Sequence, residues 1–136
     1  MHKIANKFSF FLVGIPLFLM APTINQCQSV EDEDMIKRPM IVRSLDELTI
    51  RSDYFVAELT IGTPTPCWNH SEVRINKNGT DIYLKVIAEL DPNINCIQVL
   101  GSYETSAKVQ IDEPGEYTLH LWQSDTATLD TTFTVE

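Results

Sequence analysis

Three cysteines and two histidines hold most of the chemistry open to this chain of 136 residues beyond its apolar start. Cys27 closes an apolar leader, whereas Cys67 and Cys96 sit in the body of the chain. The two body cysteines suit one disulfide. It would close a loop of about 30 residues and stabilise the fold by roughly 3.5 kcal/mol in the chain-entropy model. Zinc would need more ligands close by: His70 follows Cys67 by three residues, but no second local pair completes a set of four, so no metal site is expected. His70 reads as a turn residue beside Trp68 and Asn69. His120 alternates with Leu119 and Leu121 beside Trp122, as an outward residue on a strand would. A nucleophile, a base and an orienting group do not come together in this inventory, and the five glycines are scattered singly, so no phosphate loop exists. The expectation is a protein with no catalytic residues and no cofactor.

The leader decides where those cysteines work. His2, Lys3 and Lys7 precede an apolar run from Phe8 to Met20. That run falls short of the roughly 20 residues of a membrane span and matches the core of a signal peptide, so 1–26 is read as removed. The remaining 110 or so residues make one small domain, whose modest core gives a disulfide weight. The whole chain carries 10 basic and 19 acidic residues, a net −9; without Lys3 and Lys7 the balance becomes −11. Such a charge repels phosphate backbones and excludes nucleic acid as a partner.

Cys27 would be an odd thiol in an oxidising compartment, and lipid attachment gives it a purpose. Gln26 is a departure from the small residue that lipoprotein processing prefers before the cysteine, and Ala21-Pro22-Thr23 is a poor site for ordinary cleavage. Residues 27–43, with the acidic run Glu31-Asp32-Glu33-Asp34 and no sustained period, read as a tether. A cysteine closely followed by acids resembles the anchor-proximal segment of surface-exposed bacterial lipoproteins. The resemblance implies a membrane contact through a lipid on Cys27 and a place in the cell envelope or outside it.

From Ser44 to Glu136 the period is two. Phe55, Ala57, Leu59 and Ile61 share one face of a strand; Ile82, Leu84, Val86, Ala88 and Leu90 share one face of another, over Thr80 to Leu90. Asn78-Gly79 between Glu72–Lys77 and that strand is a strong hairpin signal. Further strands are predicted at Cys96–Tyr103, Ala107–Ile111, Tyr117–Gln123 and Thr131–Val135, separated by proline- and glycine-bearing turns and the turn from Ser124-Asp125. Seven or eight short antiparallel strands predict an all-β sandwich of two stacked sheets.

Three features together, Thr63-Pro64-Thr65-Pro66-Cys67 after a strand, the alternating strand between Asn78-Gly79 and Cys96, and Pro114-Gly115-Glu116-Tyr117 opening a late strand, resemble the secreted immunoglobulin-like modules of bacterial envelope proteins. The resemblance covers about Leu48 to Val135. It implies a tyrosine corner, with the Tyr117 hydroxyl bonded to backbone a few residues upstream. Leu119 stands where antibody-type domains carry their second cysteine, so their disulfide geometry does not transfer. Modules of this kind share no activity to carry over.

Binding is therefore the expected use, of an unknown protein or glycan. Trp68, His70, Tyr83 and Trp122 are the candidate contact residues, with Tyr103 a further exposed aromatic, because aromatic side chains dominate recognition surfaces. The loop 64–71, pinned by Cys67, is the preferred site. An exposed Trp68 at its apex would suit a small secreted protease inhibitor; Trp122 and Tyr83 on one outer sheet face would suit a carbohydrate-binding module. Asn69-His70-Ser71 and Asn78-Gly79-Thr80 match the glycosylation acceptor pattern, which has meaning only in a eukaryotic secreted protein.

Overall fold

The computed structural model describes residues 34–136. The leader, Cys27 and the acidic run up to Glu33 lie outside them. Seven strands follow in chain order: β1 (Ile36–Ile50), β2 (Tyr54–Thr63), β3 (Asn69–Asn78), β4 (Asp81–Leu90), β5 (Gly101–Gln110), β6 (Gly115–Ser124) and β7 (Ala127–Val135). No helix occurs among the described residues, as the uniform period of two predicts.

Strand β1 joins the two layers. Its first part, Ile36 to Met40, pairs with β4; from Ile41 to Ile50 it pairs with β2. Pro39, which has no N–H to donate, stands one residue before that change of partner. Register shifts at Val42/Ser44 and Leu45/Glu47 follow it, and such bulges bend a strand enough to move it between sheets. One layer is then β2 between β1 and β5. The other holds β3 on one edge of β4, with β1 and β6 sharing the opposite edge and β7 beyond β6. β6 runs parallel to β4 over Asp81–Leu84 and Thr118–Leu121. Gln123 Nε2 donates to the Val42 carbonyl at 3.2 Å, closing the gap between β6 and the crossing part of β1. On the far side two bonds link the edge strands β3 and β5: His70 Nδ1 lies 3.2 Å from the Tyr103 hydroxyl, and Lys77 Nζ donates to the Gln110 carbonyl.

The alternating faces fill the space between layers. Phe55, Leu59 and Ile61 of β2 meet Ile82, Leu84 and Val86 of β4 and Leu119 and Leu121 of β6, all buried in one cluster. Each such side chain contributes about 1.5–3 kcal/mol when taken from water. Phe133 packs edge-on against Phe55, centroids 4.8 Å apart, and lies over Tyr117 at 5.9 Å. The Tyr117 hydroxyl donates to the Glu113 carbonyl four residues upstream, the backbone bond expected of a tyrosine corner.

Several expectations need correction. The segment read as tether to Arg43 is already sheet from Ile36, with Met40 and Val42 buried. Its charged residues and two bulges broke the alternation that would have exposed it. The two strands expected at Cys96–Tyr103 and Ala107–Ile111 are one strand, β5, and residues 91–100 form a loop. Gly101 pairs with Thr63, the last residue of β2, so residues 91–100 have no β2 backbone left to pair with. The β3–β4 hairpin is present, but its two loop residues are Gly79 and Thr80, since Asn78 pairs with Asp81. Gly79 has φ +62°, and no other residue of the turn is positive, which fits a type II′ turn with glycine first.

Cys67 and Cys96 are disulfide-bonded, with Cα atoms 6.0 Å apart and a sequence separation of 29. The bond ties the β2–β3 connection to the β4–β5 loop. Gly101 sits where these two segments touch: a Cβ there would lie 2.7 Å from Pro66 Cα and 2.6 Å from Thr63 Oγ1.

Candidate functional site

The outer face of the β4–β6–β7 layer carries the densest set of polar and aromatic side chains. Strand alternation puts Asp81, Tyr83 and Lys85 of β4 outward while Ile82, Leu84 and Val86 face the core. Likewise β6 turns His120 and Trp122 outward between Leu119 and Leu121. The parallel register sets Tyr83 beside His120. Their rings stack at 4.5 Å with planes 14° apart. One step along the strands, about 7 Å away, Lys85 Nζ stands 5.8 Å from the centroid of the Trp122 ring. A stacked pair and a cation–π pair thus form two rungs on one face.

His120 is held from both sides. Its Nε2 is 2.9 Å from Asp81 Oδ1 and its Nδ1 is 2.8 Å from Asp130 Oδ1, on β7. Both nitrogens face carboxylate oxygens, and only the imidazolium can donate to both. The Asp81 carboxylate is the main cause that raises the His120 pKa above the ordinary value, and Asp130 adds to it against partial burial. Asp130 in turn sits below the usual carboxylate value, first through the Thr128 hydroxyl, which donates at 2.6 Å, and then through His120. Neither histidine nitrogen remains free to take a proton from a nucleophile.

The other candidate residues are placed differently. Trp68 is only 7 % exposed and belongs to the core cluster, so it is not the apex of a contact loop. Residues 69–71 of the loop 64–71 are the start of β3 rather than loop. The bond from Cys67 fixes the preceding turn beside the sandwich end, and Trp68 turns inward there to cover the core. His70, expected in a turn, is an exposed β3 residue whose ring meets Tyr103 edge-on at 5.7 Å. Burial pushes the Tyr103 hydroxyl up to about 12. Trp122 is half-buried and lines, with Pro39, Ile41 and Leu100, an apolar groove of about 380 Å³. Among the described residues no cluster of three or more His, Cys, Asp or Glu side chains is arranged to hold a metal. Asn69 and Asn78 are both exposed on β3.

Asp81, Lys85 and Asp130 were not singled out as site residues from sequence. Asp130 was within reach: pairing outward from the turn after Ser124 brings β7 residues near His120, and one register shift selects Asp130 over Thr131. Asp81 was not, because the β4–β6 pairing joins segments 39 residues apart and carries no local signal.

Comparison with protein families matches residues 57–135 to the ORF11 beta-sandwich domain. The chain belongs to that family. The ORF11 match starts within β2 and runs to the last residue of β7, so it contains both layers of the sandwich, the disulfide and the outer face just described. Strand β1, the link between the layers, precedes it. Comparison with curated proteins and with solved structures gave no match.

Proposed function

We propose that this ORF11 β-sandwich is a non-catalytic, envelope-anchored binding domain, and that its contact surface is the outer face of the β4–β6–β7 layer. The observation that carries the reading is the placement of Tyr83 and Trp122 on one exposed sheet face, in adjacent rungs with His120 and Lys85. Aromatic side chains fixed on a rigid sheet offer apolar area at little entropic cost, which suits the C–H groups of sugar rings. Polar groups beside them, here Asp81, Asp130 and Lys85, can accept and donate to hydroxyls. A glycan is therefore the favoured ligand class over a protein. The inhibitor alternative loses the exposed tryptophan it required, since Trp68 is in the core. A non-catalytic role agrees with a His120 whose two nitrogens are both engaged by carboxylates.

Binding of the chain to a panel of envelope and capsular polysaccharides, read by affinity electrophoresis, tests this. Retardation by one polysaccharide, weakened about tenfold or more by Tyr83→Ala and by Trp122→Ala, is the expected result. Retardation unchanged by both substitutions removes this face as the site, and no retardation by any polysaccharide removes the glycan ligand. Mass spectrometry of the mature amino terminus tests anchorage, for which a diacylated Cys27 is expected.

A further inference from the structure

We propose that the β4–β5 loop is a membrane-apposed surface, whose uncharged apolar tip seats in the interface of the bilayer that anchors the chain. The proposal rests on the anchorage reading above. Between Asp91 and β5 the chain exposes Ile94, Ile97, Val99 and Leu100; Ile97 is 69 % and Leu100 77 % exposed. Single exposed aliphatics are ordinary, but four within seven residues make a patch that asks for a partner. No charged residue occurs from Pro92 to Tyr103 in a chain of net charge −9. The disulfide binds this loop to the turn carrying Pro64 and Pro66, which is also uncharged and exposed at both prolines.

The position of the loop points to a membrane as occupant. β1 begins at Ile36, which pairs with Leu90, the last β4 residue before the loop. The chain therefore enters the sandwich beside the patch. Cys27 stands nine residues before Ile36, a distance of at most about 30 Å even when fully extended. An anchor at Cys27 consequently keeps this end of the sandwich close to the lipid. At the opposite end lie the β1–β2 and β5–β6 turns with Asp53, Asp112 and Glu113, and the carboxyl-terminal Glu136. The apolar patch thus lies at the end where the chain enters, with Asp91 and Asp125 at its margin, whereas the far end carries charges of both signs, Arg51 and Lys77 among the carboxylates, and no such patch. An uncharged loop offers few groups to specify a protein partner, whereas the interface of a bilayer requires only apolar area. Seated this way, the sandwich stands with β4 and β6 running toward the membrane and the Tyr83–Trp122 face turned sideways.

The test uses the full chain extracted from membranes of expressing cells and reconstituted in phosphatidylcholine vesicles. Ile97→Trp places a reporter at the tip, and Asp112→Trp places one at the far end; both positions are exposed, so both variants are expected to fold. Brominated phosphatidylcholine should quench the added emission of Ile97→Trp about threefold more than that of Asp112→Trp, and the difference should survive high salt. Equal, weak quenching in chains that float with the vesicles overturns the docking while leaving anchorage intact. A blue-shifted Ile97→Trp emission that depends on protein concentration and not on bromolipid assigns the patch to a second copy and also overturns it. A chain absent from the membrane fraction overturns anchorage, and the docking with it.

Discussion

Tyr83 and His120 stack face to face across the parallel pairing of β4 with β6, and Asp81 and Asp130 hold the imidazole in the plane that permits it. The stack therefore depends on strands from three places in the chain, and on the charge of one side chain.

The first prediction concerns that charge. A histidine pKa raised in the fold adds stability that is fully present below its ordinary value near 6.5 and lost as pH rises through the folded value. Asp130, whose value is lowered, adds stability present above its ordinary 3.8 and lost as pH falls through the folded value. The cluster is thus strongest between these two ordinary values. Raising the pH from about 6 to about 9 should lower the urea midpoint of the native chain more than that of His120→Gln. Both carboxylates are half exposed and screened, so the difference should be about 1 kcal/mol or less. Parallel curves for the two proteins would show that the imidazolium contributes nothing.

The second concerns the disulfide. Replacing Cys67 and Cys96 together by Ala frees a loop of 29 residues, which the chain-entropy model values at about 3.5 kcal/mol. Chemical denaturation should register a loss of this order, with the fluorescence of Trp68, next to Cys67, following the same transition.

The third concerns the tyrosine corner. Tyr117→Phe keeps the ring between Phe133 and the core but leaves the Glu113 carbonyl without its donor. A loss of about 1–2 kcal/mol is expected from equilibrium unfolding. A larger loss would mean that the ring itself has moved, which the near-ultraviolet circular dichroism would reveal.

The fourth contrasts two glycines. At Gly79 a Cβ meets nothing within 4 Å, so Gly79→Ala bears only the backbone cost of φ +62°, about 1 kcal/mol. At Gly101 a Cβ would meet the backbone of Pro66, which the disulfide next to it keeps from yielding. Gly101→Ala should therefore cost more, about 2–3 kcal/mol. Thermal unfolding of the two variants side by side ranks them, and the reverse order would contradict the close packing of the two connections.

Which parts of this were legible beforehand follows from the range of the forces involved. β2 and β4 could be read residue by residue because alternation is a local property: Phe55, Ala57, Leu59 and Ile61 turn inward together, and so do Ile82, Leu84 and Val86. The β3–β4 hairpin was legible for the same reason, although its turn is one residue later than Asn78-Gly79 alone suggests. β1 was not, because a strand that changes partner between Met40 and Ile41 and bulges twice loses its period. Trp68 shows the other limit. Its neighbours marked a loop, but the link from Cys67 to Cys96 placed it against the core.

The sequence by itself determined an all-β chain and its hydrophobic faces and pointed to the pair of body cysteines, and the resemblance to immunoglobulin-like modules implied the tyrosine corner, since each depends on residues close in the chain or on the two cysteines of the body. Only the tertiary structure decided that Tyr83, His120, Asp81 and Asp130 form one cluster. It also decided that Ile94, Ile97, Val99 and Leu100 stand exposed beside the point where the chain enters. Both follow from pairings between distant strands, β4 with β6 and β1 with β4, whose register is set by the packing of the whole core and by no local pattern.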